Sequence, residues 1–212
     1  MARSKTSRAW MREHVTDPYV KRAVREGMRS RAVFKLEEIN ARDKLIRPGM
    51  WVVDLGAAPG GWSQFAAPLV GPQGKVLALD LLEMEPIPGV EFIQGDFREQ
   101  SVLEQLEQAL EGRRVDLVLS DMAPNISGVR VSDQAQWAHL FELAVEFSKT
   151  HLQPEGTLLV KCFEGSGVDE MRREVGALFK SVSVRKPKAS RDRSREFFLL
   201  AKGLRNGAGR AA

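Results

Sequence analysis

Cysteine, histidine and long apolar runs are all scarce in this chain, and each scarcity removes a class of explanation. Cys162 is the single cysteine among 212 residues, so neither an internal disulfide nor a cysteine metal cluster is possible, which fits a reducing, cytoplasmic setting. His14, His139 and His151 are scattered without metal-ligand spacing; packing or surface roles suit them, and no catalytic metal is expected. No apolar stretch approaches the ~20 residues of a membrane span, and the basic start is not followed by the apolar core of a signal peptide. A soluble chain with no membrane partner is expected, with monomer as the default state.

Core-forming residues, by contrast, are plentiful. Hydrophobic residues make up 43% of the chain, enough for one domain of this length to fold without crosslinks. Net charge is only +4, but residues 1–35 hold ten Lys/Arg against three Asp/Glu, which is +7 and leaves −3 for the remainder. A second basic cluster, Arg185, Lys186, Lys188, Arg191, Arg193 and Arg195, is offset only by Asp192. Such blocks often serve phosphate backbones. A solvated tail is the competing explanation for residues 1–8. It fits the second cluster less well, because that cluster lies between two apolar segments and reads as a loop anchored at both ends.

Pro18 to Lys35 and Ala32 to Asn40 carry apolar residues at helical spacing. After Pro48-Gly49 the chain repeats a short apolar run, a Gly-rich or polar turn and a helical stretch, which is the rhythm of a mostly parallel α/β sheet. Strands are predicted at 51–55, 76–80, 90–94, 115–120, 157–161, 182–185 and 197–201, and helices at 61–70, 101–110, 134–151 and 169–179. Only the basic loop separates the last two strands, so they should pair as an antiparallel hairpin. The expected organisation is a tail at 1–8, one domain at 9–202 with a helical RNA-binding extension at 9–49, and a flexible tail at 203–212.

Strand one runs into Asp54-Leu-Gly-Ala-Ala-Pro-Gly-Gly-Trp-Ser63, where small residues let the backbone approach a ligand and open a helix whose amides face it. Asp80, 24 residues after Gly56, ends strand two, where a carboxylate can accept from both hydroxyls of a ribose. Gly56, Ala58 and Gly61 also approximate the fingerprint of a nicotinamide oxidoreductase, so the loop alone leaves that reading open. Asp54 and Pro59 frame it in the manner of an S-adenosylmethionine site, and Asp96 follows strand three where an acid for an adenine amine is wanted. Asp96 could equally be a turn or cap aspartate.

Asp121 and Lys161 emerge at the carboxyl edge of strands four and five, Glu196 opens the last strand, and Lys35 lies in the helix before strand one. Ordinary surface ion pairs are the default for any one of them, but two residues of each sign converging on one edge would form a site. The blocks Ser30-Arg-Ala-Val-Phe-Lys-Leu36, Val53 to Gln64, Gln94-Gly-Asp-Phe-Arg98, Ser120-Asp-Met-Ala-Pro-Asn125, Leu159-Val-Lys161 and Arg185-Lys-Pro to Ser194-Arg-Glu196 resemble the FtsJ/RrmJ family over nearly the whole chain, from about Trp10 to Ala201. The resemblance implies a Rossmann-like methyltransferase fold, a seven-stranded mostly parallel sheet with one antiparallel strand and helices on both faces. It implies a catalytic tetrad on Lys35, Asp121, Lys161 and Glu196, with S-adenosylmethionine held by Gly60, Trp62, Asp80, Asp96 and Asp121. It also implies methylation of the 2′-oxygen of a uridine in the A loop of 23S rRNA, within the large (50S) ribosomal subunit.

Displacement at a methyl carbon requires the ribose oxygen to be held in line with the sulfonium while its proton is removed. Lys161 is expected to be the base or the orienting group, Lys35 to help place the oxygen, Asp121 to position Lys161 and the donor, and Glu196 to support them. Free lysine ionises near ~10.4, so a basic Lys161 needs burial or a neighbouring cation, Lys35 being the candidate. Packing is the competing role for Trp62, being the commoner fate of a tryptophan. The cations from Arg3 to Arg31 and the loop from Arg185 to Arg195 are expected to grip phosphates, giving affinity rather than sequence choice. Methylation of another RNA, such as transfer RNA or an mRNA cap, and a non-catalytic RNA-binding assembly role are the competing functions.

Overall fold

The computed structural model describes residues 16–124, 128, 130–191 and 194–205; the predicted tail at 1–8, the cations Arg3 to Arg12, and Asn125 and Arg193 lie outside them. Among the described residues two short helices precede the sheet, α1 (Pro18–Arg25) and α2 (Val33–Asp43). Asp17 caps α1 by accepting from the N–H groups of Tyr19 and Val20 at 2.8 and 3.3 Å, and Pro18 follows where its missing N–H costs nothing. The helical spacing read over 18–35 is interrupted because Gly27 takes φ +66°, a left-handed backbone that stops α1.

The alternating part contains β1 (Trp51–Leu55), α3 (Gly61–Val70), β2 (Lys75–Asp80), β3 (Val90–Gln94), α4 (Gln100–Ala109), β4 (Val115–Ser120), α5 (Arg130–His151), β5 (Leu152–Phe163), α6 (Val168–Leu178), β6 (Phe179–Arg185) and β7 (Glu196–Leu204). The sheet order is β3-β2-β1-β4-β5-β7-β6. Strands β1 to β5 pair in parallel, while β7 runs antiparallel to both β5 and β6. The hairpin expected across the basic loop is therefore present, and β7 is the one antiparallel strand.

Period-two alternation divides the core between two layers. Val53, Leu55, Leu77, Val118 and Val160 face α4, α5 and α6 through Leu106, Trp137, Phe141 and Val175. Val52, Val76, Leu117, Leu159 and Phe198 face α2 and α3 through Leu36, Ile39, Trp62 and Ala66. Each such side chain removed from water contributes roughly 1.5–3 kcal/mol, so strands covered on both faces read as unbroken apolar runs. Among the described residues no helix is long and apolar enough to cross a membrane.

β5, β6 and β7 all run beyond their expected bounds, β6 beginning at Phe179 and not at Val182, while β2 gains only Lys75. β5 begins at Leu152, not at Thr157. Pro154-Glu155-Gly156 resembles a turn, but a register shift against β4 between Val115 and Leu117 carries it within the strand. β7 continues to Leu204, which is buried, and Arg205 N–H bonds the Leu178 carbonyl, so the expected C-terminal tail does not start at 203. The chain reverses its lateral direction between β1 and β4, leaving a crevice at their carboxyl ends, the place where open parallel sheets bind ligands.

Candidate active site

The loop after β1 is shaped by what its residues lack. Gly56 has φ +77°, and a Cβ there would stand 2.6 Å from Met122 Cγ and 3.0 Å from Met122 Cα, so the loop meets the segment after β4 backbone to side chain. Asp80 holds the loop from β2: Oδ2 accepts from Ala58 N–H and Oδ1 from Leu82 N–H, both at 2.8 Å. Below them Asp54, 1% exposed, accepts the Ser63 hydroxyl at 2.7 Å through Oδ2, while Oδ1 has no partner. Burial pushes the Asp54 carboxyl up to about 7; the Ser63 hydrogen bond opposes this, and the charges of Asp121 and Asp80 add to it.

A raised acid binds a proton in the folded state that the unfolded chain has released, so wild-type stability falls as pH climbs from near the ordinary 3.8 to about 7. Asp54→Asn removes that loss. Its urea midpoint should gain on wild type between pH 5 and 7 and level off above; parallel profiles for the two proteins would exclude a protonated Asp54.

A cavity of about 390 Å³ opens beside this loop, with Asp80, Asp96 and Asp121 in its wall together with Phe97, Met122 and His139. Asp96 accepts from Arg98 Nε at 2.9 Å and from Arg98 N–H at 3.0 Å. The guanidinium hydrogen bonds, aided by the backbone one, lower its carboxyl to about 2, so it is an ionised acceptor. Gly60 and Trp62 do not line this cavity. A side chain on Gly60 would strike Met84 and Ile87. The Trp62 indole, 3% exposed, donates to the Ala32 carbonyl at 2.8 Å and packs 5.6 Å from the Phe198 ring, so its side chain belongs to the core and not to the cavity. By sequence His139 is expected to pack or face solvent and Met122 to pack, yet both line the cavity. α5 carries apolar residues around much of its circumference, so no stripe marks which face meets the site.

The four residues expected as a tetrad form two ion pairs. Lys161 is 7% exposed; its Nζ lies 3.1 Å from Asp121 Oδ1 and donates to the Asp121 carbonyl. Lys35 Nζ lies 2.6 Å from Glu196 Oε1 and 5.8 Å from the Phe198 ring. Phe198 is the register partner of Lys161 and Glu196 that of Phe163, so the two pairs meet along adjacent strands. Burial draws the Glu196 carboxyl up, but the Lys35 charge and hydrogen bond, Ser190 and the Lys161 charge together outweigh it and hold it below the usual range.

Beside Lys35 and Glu196 lies a cavity of about 430 Å³ lined also by Arg31, Arg191 and Ser194. Other basic residues named from sequence serve the fold. Arg22 pairs with Glu37 at 2.9 Å, Arg29 donates to the Glu85 and Pro86 carbonyls at 2.6 and 2.7 Å, and Arg185 grips Asp43 with two 2.7 Å bonds. Lys21, Lys186, Lys188 and Arg195 are exposed.

Strand order, an acidic cavity at the switch point and a buried Lys–Asp pair on its rim define a Rossmann-like methyltransferase. The chain belongs to the FtsJ-like methyltransferase family, whose model matches residues 28–204. The ribosomal RNA large subunit methyltransferase E of Dechloromonas aromatica is 60% identical over 205 residues, spanning 97% of this chain and 100% of the relative. That of Chromobacterium violaceum is 58% identical over the same shares. A crystal structure described as a ribosomal RNA methyltransferase from Plasmodium falciparum matches with a TM-score of 0.73 at 28% identity, covering 83% of this chain and 98% of its own.

Proposed function

We propose that the protein transfers the methyl group of S-adenosylmethionine to the 2′-oxygen of a uridine in the A loop of 23S rRNA, with the large ribosomal subunit as substrate. The near full-length relatives named for the large-subunit RNA support the substrate. The observation that carries the chemistry is the buried Lys161–Asp121 pair joining the acidic cavity to the Lys35–Glu196 pair. A cavity of this size suits a nucleoside-containing donor, and its carboxylates, set around a loop that no side chain at Gly56 could share, suit a ligand of positive charge.

Bound S-adenosylmethionine supplies a methyl group made electrophilic by its sulfonium. Asp80 would accept from the donor's ribose hydroxyls and Asp96 from its exocyclic amine. Asp121 would face the cationic end while holding Lys161 in place. Lys35, itself held by Glu196, orients the acceptor oxygen, and Lys161 stands as the base or as the group that orients its hydroxyl. Proximity and fixed orientation do most of the work, since the displacement needs the oxygen in line more than it needs a strong base. Arg31 and Arg191, in the wall of the Lys35 cavity, are both drawn to Asp17, so the exposed Lys186, Lys188 and Arg195 would be the ones to meet the RNA backbone.

Labelled S-adenosylmethionine incubated with undermethylated large subunits, free ribosomal RNA and transfer RNA tests this reading. The expected product is 2′-O-methyluridine formed selectively on subunits. Preference for transfer RNA would redirect the substrate, and donor binding without transfer would favour an RNA-binding role.

A further inference from the structure

A second cavity, of about 540 Å³, adjoins the donor cavity, with Pro124 in the wall of both. Its walls are Ala135, Trp137 and Ala138 of α5 and Phe163 at the end of β5, and its polar groups include Gln134 and Arg195. The geometry points to this cavity as the seat of the base belonging to the ribose that is methylated, an inference that rests on the 2′-O-methylation reading.

Several features favour a nucleobase as occupant. The Phe163 ring is half-buried and stands two residues beyond Lys161 on β5, its centroid 5.7 Å from Lys161 Nζ, so a base stacked on it would bring its own ribose toward the lysine. The ring is braced at 89° by Trp137, which is itself buried and anchored through its indole N–H to the Lys161 carbonyl at 3.2 Å. The strand that carries Lys161 therefore also sets the aromatic platform, and ribose and base are gauged from one element. Gln134 donates to the Ser166 carbonyl at 3.1 Å, and its carboxamide lies across Gly165, where a Cβ would come within 2.6 Å of Oε1. The amide is thus held flat at the cavity wall, where it can pair with a base edge. Arg195 is exposed at the rim, and with the carboxylates of Asp133 and Glu164 also in the wall the cavity itself suits an uncharged base and not a phosphate. A ribose can reach a buried lysine only if its nucleotide leaves the stack, and an unstacked base needs an apolar slot with an aromatic face.

The test uses the full chain with two changes: Ala138→Phe, which fills the cavity, and Phe163→Leu, which keeps apolar bulk but removes the ring. Large subunits are reconstituted around ligated ribosomal RNA in which the A-loop uridine is intact or replaced by an abasic ribose that keeps its 2′-hydroxyl. Wild type should lose about 10- to 100-fold in kcat/KM on the abasic substrate, the effect of one lost base–aromatic stack. Each variant should lose a similar factor on the intact substrate, yet match wild type on the abasic one, with S-adenosylmethionine affinity unchanged. General damage to the fold would slow both substrates alike. Additive losses, or variants that methylate intact subunits at the wild-type rate, overturn the base pocket while the methylation reading stands. A wild type that methylates neither RNA overturns both.

Discussion

Lys161→Ala is expected to slow methyl transfer by about 10²- to 10⁴-fold at saturating donor and RNA, the usual contribution of a positioned proton-transfer group. Binding of S-adenosylmethionine should be retained, because Lys161 is absent from the wall of the donor cavity. Its Nζ touches that site only through Asp121, by the 3.1 Å ion pair and the hydrogen bond to the Asp121 carbonyl. Lys161→Arg should not restore turnover, since a guanidinium keeps its proton and cannot serve as acceptor. Single-turnover rates, with donor affinity measured separately, decide the matter. An alanine variant that turns over at the wild-type rate would remove Lys161 from the chemistry.

The second large effect concerns donor binding. Asp80→Ala removes the acceptor of two loop amides, Ala58 and Leu82, and with it the carboxylate proposed to take the ribose hydroxyls. Hydrogen bonds to a charged group are worth about 1.5–3 kcal/mol each, so the net loss of even one should raise the dissociation constant for S-adenosylmethionine by roughly 10- to 150-fold. The KM for RNA should hardly move. Asp80→Asn, which keeps one acceptor, should fall between alanine and wild type in calorimetric titration. Equal affinity for alanine and wild type would place the donor elsewhere.

Much of this architecture was legible before any coordinates. β1, β3 and β4 matched their predicted bounds because their apolar runs end at Gly, Pro or charged residues. The carboxyl-edge positions of Asp96 and Asp121 follow from the ends of β3 and β4, and that of Asp80 from the end of β2, whereas Lys161 lies two residues inside β5. Less legible was anything that depends on which long-range neighbours meet. Sequence alone points to Asp121 as the residue that positions Lys161, a contact set by the parallel register of β4 and β5, but it offers Lys35 as the cation beside Lys161, whereas the direct partner of Lys35 is Glu196. Trp62 stands in the donor loop by sequence, yet its ring turns into the layer beneath, where Phe198 and the Ala32 carbonyl await it. Arg22, Arg29 and Arg185 look free in a linear reading because Glu37, the Glu85 and Pro86 carbonyls, and Asp43 become their partners only after folding.

The ties between the N-terminal segment and α3 join two parts of the molecule that would otherwise be separate in purpose. Gln64 accepts from Arg29 N–H and donates to the Gly27 carbonyl, both at 3.0 Å, while Trp62 holds Ala32 three residues before Lys35. Arg29 then reaches the Pro59 carbonyl within the donor loop itself. The segment proposed to face RNA is thus a buttress of the donor loop. Displacing it would misalign both reactants together, and an enzyme shortened through Ala32 should lose its grip on S-adenosylmethionine even with no RNA present.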